Sequence, residues 1–182
     1  MELIYNLGFD ATTINHLIEA SLTHKASFYR HFQNKEEIGN LYLQLQGEQF
    51  TSNWKALMSK SQSREKFVSV WVSLLKRQIR KNAYHGCPIA RFMASSEKSN
   101  SSGEIARDIV QEWITTLGDF FFSFEPLTLK EKVARERKAY WLMKAKQFIK
   151  IFQGNSQLFV ITNELIYIEE MEKEMLGLLN VD

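Results

Sequence analysis

Two prolines, Pro88 and Pro126, are all that this chain of 182 residues carries, and nothing constrains its fold more. Inside a helix a proline removes a hydrogen bond and clashes with the turn before it. The stretch from Met1 to Cys87 is therefore open to long helices, and its apolar spacing uses that freedom. Ile38, Leu41, Leu45, Phe50, Trp54, Leu57 and Met58 are spaced for one helical face, as are Phe67, Val70, Trp71, Leu74, Leu75 and Ile79. No alternating pattern of useful length reads as a strand. The expected class is all-α.

The first forty residues are punctuated more densely. Leu3, Ile4 and Leu7 share one face of a short helix that stops at Gly8, a residue suited to the C′ position. Thr12 or Thr13 is placed to cap a second helix carrying Ile14, Leu17 and Ile18. A tight connection through Ser21 and Leu22 leads to a third, roughly His24 to His31, anchored by Phe28 and Phe32 at i, i+4. Asn34 opens a fourth, with Glu37 three residues on as a capping-box-like partner. Helices two and three, joined by so short a turn, make a helix-turn-helix.

In that arrangement the third helix enters the major groove. The residues it does not need as anchors are His24, Lys25, Ala26, Ser27, Arg30 and His31, with Tyr29 at the edge. Lys25 and Arg30 suit guanine edges or phosphates, Ser27 either, and the small Ala26 permits close approach. Tyr29, Lys35 and the backbone near Thr12 and Thr13 suit phosphates. On spacing alone, a plain three-helix packing unit accounts for the same pattern.

The segment "FDATTINHLIEASLTHKASFYRHFQNKEEIGNLYL" resembles the DNA-binding head of the TetR family of bacterial regulators. The match runs without a gap through Gly8, Phe9, Thr12, Thr13, Ile14, Ala20, Lys25, Phe28, Tyr29, His31, Phe32, Lys35 and Glu36. Further on, "GCPIARFMASS" and "IFQGNSQLFVITN" are similar to the helical body of one branch of that family. The resemblance implies a head over 1–45 and a ligand-binding, dimerising body over 46–182. It also implies a homodimer on a pseudo-palindromic operator in double-stranded DNA, a repressor released by a small molecule. Tyr29 and Lys35 match phosphate-contacting positions, and Lys25 and Ser27 match positions that commonly approach bases.

Family heads usually have ten or more residues ahead of the position of Met1, so the start of the first helix is expected to be missing. Leu22 stands where the family's turn has Gly, and Thr23 where it has an apolar anchor. A left-handed backbone at Leu22 would cost about 1–2 kcal/mol, so a strained or reshaped turn is expected. Residues 1–50 carry Lys25, Arg30 and Lys35 against six carboxylates, a net charge of −3, whereas 51–100 are strongly basic. An acidic head works against attraction to DNA. The alternative reading is thus a helical dimerisation or sensor protein with impaired or absent DNA binding.

In the body, a small apolar or aromatic ligand between helices is expected to meet Phe92, Met93, Trp113, Leu117, Tyr140 and Met143, although aromatic stripes are more often core. A dimer interface is expected around Ile151, Gly154 and Leu158 with Leu165, Ile168 and Met171 of the last helix. The polar run "SSEKSNSSG" reads as a solvated connection. His85 and Cys87 lack companions for a metal site, no cofactor is implied, and a single cysteine excludes an intrachain disulfide. No phosphate loop, nucleophile elbow or zinc-protease motif suggests an enzyme. No apolar run long enough to span a membrane and no signal peptide stand out, so a cytoplasmic address is expected.

Overall fold

A computed structural model describes residues 2–96 and 100–180. Among these residues there are nine helices and no strand. They are α1 (Glu2–Leu7), α2 (Ile14–Ser21), α3 (Lys25–His31), α4 (Lys35–Met58), α5 (Arg64–Arg80), α6 (Pro88–Ser95), α7 (Asn100–Phe122), α8 (Glu131–Thr162) and α9 (Ile166–Leu179). The all-α class with a helix-turn-helix at the N-terminus follows as expected. Compactness draws its lines elsewhere than at residue 45: one unit comprises 1–49 and 87–109, the other 50–86 and 110–182.

In the first unit, α1 ends where Gly8 turns left-handed at φ 88°, its N–H donating to the Ile4 carbonyl at 2.9 Å. Phe9 then enters a small core beside Phe92 of α6, ring centroids 4.6 Å apart, and Phe92 also stacks on Tyr42 at 5.7 Å. Gly39 makes this approach possible, since a Cβ there would stand 2.8 Å from both the Phe9 and Phe92 rings. Arg91 of α6 donates to the Asn6 carbonyl at 3.1 Å, and the Phe9 N–H to the Ser95 hydroxyl at 3.3 Å.

One expectation is corrected here. The run "SSEKSNSSG" is not a connection throughout: α7 begins at Asn100, and Ser102 is buried. Ser101 donates to Glu36 at 2.7 Å and accepts from the Asn40 amide at 3.0 Å, so α4 supplies the partners that let these serines be helical. The first part of the run includes 97–99, which lie outside the described residues.

The second unit is built on aromatic rings. From α5 come Phe67 and Trp71, from α8 Trp141, Phe148 and Phe152, from α7 Trp113 and Phe121, and from α4 Trp54, all at most 5% exposed. Each such side chain removes about 150–250 Å² from water. With Ala145, Asn155 and Phe159, these α8 residues recur at intervals of three and four, placing one stripe of a 32-residue helix against its neighbours. Lys76 of α5 pairs with Glu172 of α9 at 2.6 Å, and Asn155 of α8 donates to Glu174 at 3.2 Å. After α7, Glu125 accepts from Arg137 (2.7 Å) and from the Trp141 indole (2.6 Å), with Arg64 lying 3.9 Å from the Trp141 ring. No described helix is long and apolar enough to cross a membrane.

Candidate functional site

The helix-turn-helix is assembled by local hydrogen bonds. Thr13 is the N-cap of α2: its hydroxyl accepts from the His16 N–H at 3.1 Å, and His16 Nδ1 accepts from the Thr13 N–H at 3.3 Å. Histidine thus takes the place of the usual Glu or Gln in a capping box. At the other end Leu22 adopts φ 53°, ψ 28°, with its side chain 94% exposed. The turn keeps the left-handed shape that Gly would give it, and Leu bears the strain without contacts to offset it. Ser21 and Thr23 join hydroxyls at 2.7 Å across the turn, which gives polar Thr23 a role where an apolar anchor was expected.

Phe28 is the buried anchor of α3, packing on Phe32 with centroids 5.4 Å apart. His24, Lys25, Ala26, Tyr29, Arg30 and His31 are exposed around it, and Ser27 is half-buried, accepting from Arg30 at 3.3 Å. Six of these lie together on one short helix, as the spacing predicts, and His24 is its N-cap. The Glu37 N–H of α4 donates to the Asn34 side chain at 2.9 Å, the pair that the spacing predicts, while the Glu37 carboxylate accepts from the Gln33 N–H at 2.8 Å, one residue before the one a capping box would use.

Two residues expected to face phosphates serve the head itself. Thr12 is wholly buried; its hydroxyl donates to the Gly8 carbonyl at 2.7 Å and ties the end of α1 to the start of α2. Lys35 donates to the Asp10 carbonyl at 3.2 Å and lies 4.6 Å from the centre of the Phe9 ring. Its ammonium has three donors, so these contacts leave N–H groups for a further partner.

The six ligand candidates do not share one unit. Phe92 and Met93 belong with the head helices, where Phe92 fills the core described above; Trp113, Leu117, Tyr140 and Met143 belong to the second unit. There Trp113 and Leu117 are fully buried, Tyr140 is half-buried, and Met143 is 47% exposed. Of the dimer candidates, Ile168 and Met171 are corrected: both are completely buried within the protomer, because α9 turns that stripe inward beside α5 and α8. Leu158 and Leu165 are exposed, Gly154 is open with nothing within 4 Å of where a Cβ would stand, and Ile151 is half-buried. Spacing did not pick out Ile161, the most exposed of this group, nor Val160 and Ile166 beside it. Among the described residues no cluster of three metal-ligating side chains occurs.

Residues 1–39 match the family model described as "Bacterial regulatory proteins, tetR family". No curated protein matches the chain in sequence. Three solved structures are similar in fold. Reduced Escherichia coli NemR has 17% identity and a TM-score of 0.74, covering 97% of this chain and 91% of its own. A TetR transcriptional regulator from Legionella pneumophila has 16% identity and a TM-score of 0.74, with 96% and 90% covered. SCO4454, a TetR-family transcriptional regulator from Streptomyces coelicolor, has 14% identity and a TM-score of 0.75, with 98% and 88% covered.

Proposed function

We propose that this chain, whose residues 1–39 match the TetR-family model and whose fold is similar to that of TetR-family regulators, is a ligand-responsive transcriptional repressor. It binds a pseudo-palindromic operator as a homodimer and leaves it when a small molecule occupies the body. The observation that carries the reading is the outward face of α3, with Lys25, Tyr29, Arg30 and His31 exposed over a single buried anchor, Phe28. Lys25, Ala26 and Ser27, with Arg30, approach bases; Tyr29, Thr13 and Lys35 hold phosphates. His24 and His31 flank the contact.

Two half-sites require two heads, so dimerisation is part of DNA reading. The exposed apolar strip of Leu158, Ile161 and Leu165 supports a dimer across α8 and α9, since apolar patches of this kind mark interaction surfaces. Functionally the boundary between reading head and sensing body is placed near residue 45, within α4.

Fluorescence anisotropy against duplexes tiling the DNA on either side of the gene tests this. Saturable binding to one duplex, weakened by salt and lost in Tyr29→Ala, is the expected result. A folded dimer that prefers no duplex overturns the repressor reading and leaves a sensor without an operator. That outcome has a physical basis in the acidic head and the strained Leu22 turn.

A further inference from the structure

Among the described residues of the second unit, three buried side-chain groups have no hydrogen-bond partner: the indole N–H groups of Trp54 and Trp113 and the hydroxyl of Thr51. Their residues are 1%, 0% and 3% exposed. A buried indole N–H ordinarily finds an acceptor, and every unpartnered buried polar group calls for an explanation. Trp141 in the same unit shows the ordinary case, donating to Glu125 at 2.6 Å.

The three residues that carry these groups are close neighbours. Thr51 precedes Trp54 by one turn of α4 and shares its face, and the Trp54 and Trp113 rings are centred 6.0 Å apart. Phe50 lies 4.7 Å from Trp54 and 4.5 Å from Trp113, with Phe152 at 5.8 Å and Trp71 at 6.5 Å. Phe50 alone of these rings is half-buried, so the nest opens to the surface at its edge. None of the six side chains can carry a charge near neutral pH.

We propose that this nest is the effector site, and that the effector is a neutral, planar aromatic molecule bearing a carbonyl-type acceptor. Its ring lies against Phe50, its oxygen accepts from the Trp54 and Trp113 indoles, and Thr51 serves a further polar atom. A plain hydrocarbon gains the stacking but leaves both donors unpaired. A carboxylate finds no cation among these six to offset its desolvation. This rests on the ligand-responsive reading above and adds the chemistry of the ligand.

The test is a proton–nitrogen spectrum of the full chain with indole-labelled tryptophan, its four signals assigned by single Trp→Phe variants. The probes are 9-fluorenone, fluorene as the same skeleton without the carbonyl, and fluorene-9-carboxylate. Fluorenone is expected to move the Trp54 and Trp113 indole protons downfield, saturably, while Trp141 stays in place. It should bind at least tenfold more tightly than either comparison probe. Trp54→Phe and Trp113→Phe each weaken fluorenone several-fold and leave fluorene unchanged; if either variant fails to fold, the wild-type titration still decides.

Equal affinity for fluorene overturns the proposal, as does a fluorenone titration that moves neither signal. So do indole protons fixed upfield over neighbouring rings, which would mean N–H···π contacts already satisfy them. These spectra need no DNA. A protein that takes fluorenone but prefers no duplex keeps the site and loses the repressor reading; one that holds an operator without any indole shift does the reverse. Fluorenone bound together with an unreleased operator removes the effector role.

Discussion

The two units hold themselves together by different means. In the first, α1, α2 and α3 have six, eight and seven residues, and α2 buries none of its side chains completely. Helices this short are marginal alone, so order comes from the Thr13–His16 box, the Thr12 strut to Gly8 and the Phe9–Phe92 contact. The second unit relies on mass: long helices around a continuous field of aromatic rings, with the Glu125 carboxylate held against Arg64, Arg137 and Trp141 at its margin. A unit made of caps and turns responds to small local changes. A body made of interlocked rings changes only when a ring is moved or a new one admitted.

The largest break in this contrast is expected from Trp113→Ala. Removing a fully buried indole should cost about 3–5 kcal/mol in urea unfolding. All four tryptophans belong to the second unit, so their fluorescence follows that unit alone. A loss under 1 kcal/mol would show that the aromatic core is not cooperative.

Glu125→Gln comes next, at about 1–3 kcal/mol, because it weakens charge-assisted bonds around a mostly buried carboxylate. The hydrogen bond from Arg137 is the main reason the Glu125 carboxyl is held below its ordinary range. Burial pushes it the other way, and the Trp141 indole helps to lower it. A depressed carboxylate contributes stability above its unfolded pKa, about 4, and loses it as pH falls through the lower folded value. Thermal melts should therefore show the full gap between wild type and Glu125→Gln at pH 7 and a shrinking gap in acid below about pH 4. A gap independent of pH would deny the clasp its electrostatic character.

Thr12→Val keeps shape but removes the bond to Gly8, and about 1 kcal/mol is expected. Hydrogen exchange in α1 and α2 should accelerate while the tryptophan-monitored transition stays put. Movement of both would tie the two units into one folding step. Smallest is Leu22→Gly. It relieves the left-handed strain but adds freedom to the unfolded chain, for a net gain of about 0.5–1 kcal/mol seen in head-amide exchange. A destabilisation would mean that the exposed leucine makes compensating contacts.

Local features were legible from sequence where one turn of helix decides them. Gly8, the Thr13 cap, the Phe28 and Phe32 anchors and the Asn34–Glu37 pair each depend on residues within four positions. Helix α3 was legible for the same reason, since one buried anchor in seven residues leaves most of the others exposed. Phe92 was not, because an aromatic at helical spacing reveals that it is covered and not by which helix. Ile168 and Met171 were misread likewise: their stripe is apolar whether a second protomer or α5 and α8 lie against it. The unpartnered indoles of Trp54 and Trp113 have no sequence signal, as donor satisfaction is a property of neighbours.

By itself the sequence determined an all-α chain with a TetR-like helix-turn-helix, through scarce prolines, helical periodicity and short-range caps. Tertiary structure alone decided that Thr12 and Lys35 brace the head, that α6 and the start of α7 belong to its unit, and which apolar faces stay open. The physical reason is range: hydrogen bonds along one turn are written in neighbouring residues, whereas burial and pairing across helices depend on what the fold brings alongside.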